Sequence, residues 1–278
     1  MKRKAWILAG LGIAFIAIIG ASVERYLDHR EERQKRAHYE ALIPLIDIPQ
    51  NANTTETADI VREFVNSNSI HMTSDDDPEF FNIWGNNPAI AAKMASSAKG
   101  ENDAPVHLEC SSRSAIMRMI LEALDIRVRT IVLYAHRKDY HSHVFIEVQD
   151  KETKDWHIQD PGYDLFWQDS DTKKRMSVID IVDQGTDNIT PCHTPQDCRW
   201  GWHNKGAQGA PRVLKAFFGL AVIKDKVENT RNLYYNNDTF PLNEPQEVIG
   251  KGMLTFCEFE DKNCRGKIVQ LGNKTDTL

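Results

Sequence analysis

The sequence predicts an α+β fold in which one helix packs on an antiparallel sheet. Three observations carry that expectation. Ala115, Ile116, Met119, Ile120, Ala123 and Leu124 fall on one face of a helix over Ser112–Leu124. Ile126, Val128, Thr130 and Val132 alternate with Arg127 and Arg129, the period of a strand running to Tyr134. His143–Val148 and Trp156–Gln159 read as two more strands, separated by the charged turn Asp150–Asp155.

Asp125 ends the helix. Upstream, Ile60, Val61, Phe64 and Val65 recur as one face of a second, amphipathic helix, with Thr54 or Thr55 as its expected N-cap. Pro44 and Pro49 interrupt helix before it. Ser74–Pro78 is acidic but lacks the glycine and spaced ligands of a calcium loop, and reads as a solvated turn. Downstream, Asp180–Asn188 is polar and Val213–Ile223 is an apolar stretch of helical length. This later part either completes the same domain or covers it.

Composition sets outer limits. The chain has 278 residues, 41% hydrophobic and 27% charged, enough for a sizeable core. A formal net charge of −6 and a pI near 5.9 supply no basic face for nucleic acid.

The N-terminus is read as a membrane anchor. Lys2, Arg3 and Lys4 precede Ala5–Val23, a run of 19 positions without a charge. At ~1.5 Å per residue that run spans roughly the ~30 Å hydrocarbon core. A cleaved signal peptide ending at Gly20-Ala21-Ser22 is the rival reading, but the apolar run is long for one and no clean cleavage pattern ends it. Glu24–Arg36 then reads as a charged helical stalk. Basic residues stand on both sides of the span, so charge alone does not orient it.

The cysteines give a direction. Four of the five form two short-range pairs, Cys192 with Cys198 and Cys257 with Cys264, leaving Cys110 over. Two local disulfides and one free thiol fit an oxidising compartment, which places the domain outside the cytoplasm. A zinc site from Cys192, His193, Cys198 and His203 is the alternative, though its spacing matches no standard zinc motif.

Cys110 stands where the 112–124 helix begins. There the helix dipole and unpaired N–H groups favour thiolate and offer donors to a developing oxyanion. His143 follows 33 residues later and Asp160 another 17. A Cys–His–Asp system needs an imidazole to take the thiol proton and a carboxylate to orient it. By alternation alone, His141 and His143 are both eligible as the base.

These residues resemble the transglutaminase-like superfamily, related in mechanism to papain-type cysteine proteases. Cys110, Ala115, Leu121 and Leu124-Asp-Ile-Arg-Val-Arg129 are similar to its cysteine helix and the alanine, leucine and glycine-isoleucine-proline-alanine-arginine positions that go with it. His143-Val-Phe-Ile-Glu-Val148 and Trp156-His-Ile-Gln-Asp-Pro161 resemble its histidine strand and its tryptophan followed by aspartate-proline. Leu108 stands where a glycine is usual and Phe145 where tryptophan is common. The resemblance covers roughly residues 107–163. It selects His143 over His141.

It implies a thiol peptidase or amidase, favoured over a protein cross-linker, with Cys110, His143 and Asp160 as catalytic residues. Peptide or protein is the implied substrate, cell-wall peptide included, and neither cofactor nor metal is called for. An NlpC/P60-like cell-wall hydrolase and a non-catalytic envelope binding module on the same fold are the alternatives. The expected organisation is a bacterial single-pass protein: anchor 1–23, stalk or linker 24–54, catalytic core 55–169, and a C-terminal extension or cover 170–278 facing the periplasm or exterior.

Overall fold

The structure, a computed structural model, describes residues 36–71, 86–101, 105–134, 142–198, 220–228, 230–236 and 265–271. It is a mixed α and β fold. The helices are α1 (Thr54–Ser67), α2 (Asn87–Ala98), α3 (Cys110–Ala123) and α4 (Val178–Gln184). The strands are β1 (Ser69–His71), β2 (Val106–Leu108), β3 (Val128–Tyr134), β4 (Ser142–Gln149) and β5 (Trp156–Gln159), then β6 (Phe166–Asp169), β7 (Ile189–Cys192), β8 (Leu220–Asp225), β9 (Thr230–Asn236) and β10 (Arg265–Leu271).

Six strands make the main sheet in the order β10-β9-β8-β3-β4-β5, antiparallel except for the β9–β10 pair. Strands from before and after residue 170 therefore share one sheet. The alternation read from the sequence splits the apolar residues between two cores. Val128, Ile146 and Val148 pack with α1, α2 and α3, through Val61, Val65, Ile90, Met94, Ile116 and Ile120. Ile131, Leu133, Phe145, Ile158 and Ile223 belong to the second core, with Trp167, Val178 and Ile181.

Local chemistry explains the helix ends. Asn53, one position before the expected Thr54 or Thr55, caps α1. Its side chain accepts from the Glu56 N–H at 2.9 Å while Glu56 accepts from the Asn53 N–H at 3.0 Å. Ser177 and Asp180 form the same reciprocal box at α4. α3 ends as expected at Asp125, which takes a left-handed φ of 56°. Ile126 N–H returns to Leu121 O at 2.9 Å and Asp125 N–H to Glu122 O at 3.1 Å, closing a Schellman turn.

The helix expected within Val213–Ile223 requires a correction. Its described end, residues 220–223, belongs to β8, paired with β3 and β9. Val222 and Ile223 are β-branched and buried, and pairing on both edges outweighs helical length. Residues 1–23, the stalk up to residue 35, His141, His203, Cys257 and Cys264 lie outside the described residues. Among the described residues, no helix is long and apolar enough to cross a membrane.

Candidate active site

Three pieces of chain converge at the start of α3. Glu109 is the N-cap and its side chain makes no capping bond. The Arg113 N–H bonds to Glu109 O at 3.0 Å, so the N–H groups of Cys110, Ser111 and Ser112 precede the intrahelical ladder. Cys110 is partly exposed and is not in a disulfide. Ser114 fastens the helix to β4 by donating to Val144 O at 2.9 Å.

His143 is the second residue of β4 and is buried. Asp160 follows β5 and is fully buried. Its backbone exchanges two hydrogen bonds with Leu165, at 2.8 and 3.0 Å, closing the turn Asp160–Leu165. Asp160 Oδ1 accepts from the N–H groups of Gly162 at 2.9 Å and Tyr163 at 3.3 Å. Oδ2 meets His143 Nε2 at 2.7 Å. One oxygen shapes the turn, and the other holds the imidazole.

With Nε2 occupied, Nδ1 is the ring nitrogen left to face the Cys110 thiol. The three groups crowd around Gly162. A Cβ added there would lie 3.0 Å from Asp160 Oδ1, 3.4 Å from His143 Cε1 and 3.8 Å from Cys110 Cβ. A side chain here would press on Asp160 Oδ1, so glycine suits this turn for space.

The electrostatics favour an ion pair. Burial pushes the Cys110 thiol up, but hydrogen bonds from His143 and His71, the His143 charge and the Val144 backbone bring it down to about 6. Burial pulls His143 down, and the Asp160 carboxylate together with the Cys110 sulfur raises it to about 10. Between those values, thiolate and imidazolium coexist.

Two further residues of the site carried no signal in the sequence reading. Arg113, buried in α3, donates to Gly162 O at 2.8 Å and Ser69 O at 2.7 Å, tying the Asp160 turn and β1 to the cysteine helix. It lies three residues after Cys110, one helical turn along. His71, at the exposed end of β1, stacks on Tyr163 with ring centroids 6.1 Å apart and helps to lower the Cys110 pKa. The parallel β1–β2 pairing sets His71 opposite Leu108, two residues before Cys110.

Beside this site, Asp164 Oδ2 meets His193 Nδ1 at 2.7 Å and Asp164 Oδ1 accepts from Arg62 Nε at 2.8 Å. His193 follows Cys192, which is disulfide-bonded to Cys198 as expected. That bond occupies both sulfurs of the alternative zinc set.

No family model and no curated protein matches the sequence. A solved structure of a candidate cysteine protease from Cytophaga hutchinsonii is similar in part, at 12% identity and a TM-score of 0.29. The similarity covers 47% of this chain and 37% of that one. At that level of likeness, the chemistry of this chain rests on its own side chains.

Proposed function

We propose that the protein is a thiol enzyme of transglutaminase-like type that cleaves or transfers the acyl group of a peptide or protein amide. The observation that carries this reading is His143, with one nitrogen on Asp160 at 2.7 Å and the other side of its ring at the Cys110 thiol. Cys110 Sγ attacks the amide carbonyl, and the C=O electron pair moves onto oxygen. Collapse of the adduct breaks the C–N bond, and the His143 imidazolium gives its proton to the departing amine. The thioester is then hydrolysed by water whose proton passes to His143, or intercepted by an amine. Hydrolysis is the preferred outcome. An oxidising compartment, supported by the Cys192–Cys198 disulfide, and attachment through residues 1–23 belong to the same reading.

The test is Cys110→Ala in the full chain, assayed on fluorogenic peptide amides and on dansylcadaverine incorporation into a glutamine-bearing protein. Loss of roughly 10⁴-fold or more in one of these is expected. Activities left intact by the substitution would sink the proposal.

A further inference from the structure

Two imidazoles stand near Cys110, and only one of them is the base. We propose that His71 is a second catalytic residue of this site, an N–H donor that stabilises the oxyanion formed when Cys110 attacks a carbonyl. This deepens the function proposed above and rests on it.

The geometry gives the two histidines different surroundings. His143 is buried, with its far nitrogen held by Asp160. His71 is exposed, and its ring lies nearly parallel to that of Tyr163, at 16° with centroids 6.1 Å apart. Tyr163 in turn packs on His143 at 5.2 Å. The three rings form a file beside the thiol, with His143 inside and His71 at the solvent end.

His143, Asp160 and Gly162 crowd Cys110 from the buried side, whereas His71 is exposed, so a carbonyl arriving from solvent meets Cys110 on the side of His71. Reacting atoms approach to about 3 Å, and the carbonyl oxygen is one bond from the carbon under attack. A donor on the solvent side of the thiol is therefore placed to meet that oxygen. As negative charge passes from sulfur to oxygen, the His71 N–H follows it over a short distance. The Cys110 amide at the start of α3 supplies the other donor.

His71 is well placed for this without rearrangement. Its strand is held by the β1–β2 ladder and by Arg113 bonding to Ser69 O. A second proton acceptor on the sulfur would duplicate His143; a donor there completes what a single backbone amide begins.

The experiment compares two reactions of Cys110 in the full chain, with Cys110→Ala as background. Acylation by p-nitrophenyl acetate passes through an oxyanion: the S–C bond forms, the carbonyl pair moves to oxygen, and its return expels p-nitrophenolate. Alkylation by iodoacetamide displaces iodide at carbon and forms no oxyanion. Both rates are read at their high-pH plateaus, so that thiolate fraction drops out.

For His71→Ala the acylation plateau is expected to fall about 10²- to 10³-fold, with alkylation changed less than about threefold and His71→Gln recovering acylation to within about tenfold. Equal losses in both reactions, or no loss in acylation, would overturn the role of His71. A wild-type Cys110 alkylated no faster than free cysteine would instead overturn the proposed nucleophile, before any His71 variant is made.

Discussion

The turn Asp160–Leu165 carries two aspartate–histidine pairs of the same length in different surroundings. Asp160 meets His143 and Asp164 meets His193, each at 2.7 Å. Asp164 also accepts from the Arg62 guanidinium at 2.8 Å, and Arg62 donates to Asp59 as well. Near Asp160 the arginine is Arg113, and its bonds go to the carbonyls of Pro161, Gly162 and Ser69. Asp164 is thus neutralised by a permanent cation, whereas the direct cationic partner of Asp160 is the imidazole itself. A histidine that must stay protonated to balance its carboxylate can hold a proton beside a thiol. Under the proposed function, the two pairs are separated by what else touches the carboxylate and not by their length.

The sharpest way to break this comparison is to neutralise each carboxylate in turn. Asp160→Asn is expected to lower acylation turnover by about 10⁴-fold, because the amide no longer favours the imidazolium and selects a different tautomer. Asp164→Asn is expected to change turnover less than tenfold while costing about 3 kcal/mol of stability, since it unbalances the buried Arg62. Turnover and urea denaturation of both variants measure this. Similar rate losses from the two would show that the pairs are equivalent.

A third histidine, buried like His143, sharpens the contrast, because among the described residues no carboxylate is bonded to it. His157 Nε2 has no hydrogen-bond partner among the described residues, and burial, followed by the Arg175 charge, pulls its pKa down to about 4. The unfolded chain binds this proton below about 6.5 and the folded chain does not until about 4. Stability is therefore lost as pH falls through that window, by about 3 kcal/mol. His143 has the opposite sign: its contribution is complete below 6.5 and is lost as pH rises through about 10. Denaturation at pH 6.5 and 4 should give a His157→Leu variant the flatter profile. An unchanged slope would mean that His157 is protonated in the folded protein.

Much of the proposed catalytic frame was legible in the sequence because it is local. The period of α3, the alternation of β4 and the order Cys110, His143, Asp160 all survive as single-segment patterns. Asp160 before Pro161 reads equally well as a turn residue, and it is one: Oδ1 makes the turn and Oδ2 serves His143. Asp125 stands in the position where the resembling family has glycine, and its left-handed φ of 56° explains why glycine suits that position.

What stayed hidden depends on non-local pairing. His71 is 39 residues before Cys110 and gains its place only through the parallel β1–β2 ladder. Arg113 acts on backbone carbonyls, which leave no mark in a sequence. β8 looked helical by length, and only its two strand neighbours reveal it.

The pH profile of Cys110 connects the pairs to rate. Thiolate alkylation should be half-maximal near pH 6 and about a hundredfold below its plateau at pH 4, two pH units lower. Acyl turnover should fall again near pH 10, where His143 loses its proton. These limbs belong to the coupled thiol and imidazole together. Asp164→Asn should leave both in place, whereas Asp160→Asn should move the upper one down. Movement of either limb by Asp164→Asn would merge the two pairs into one titrating system.

The smallest effect is expected at the disulfide. Cys192 and Cys198 close a short loop next to His193, whose backbone carbonyl accepts from Arg62 at 2.5 Å. Replacing both cysteines by serine should cost at most about 2 kcal/mol, the chain-entropy value for so short a loop. Arg62 keeps Asp59, Asp164 and Gln159 as partners in that variant, so the second pair has its cation whether or not the loop is closed. Acylation by Cys110 should then change less than about threefold, the scale of a substitution that leaves the reacting groups in place. A tenfold loss on removing the disulfide would mean that the His193–Asp164 pair reaches the nucleophile through the shared turn, and that the two halves of Asp160–Leu165 act as one.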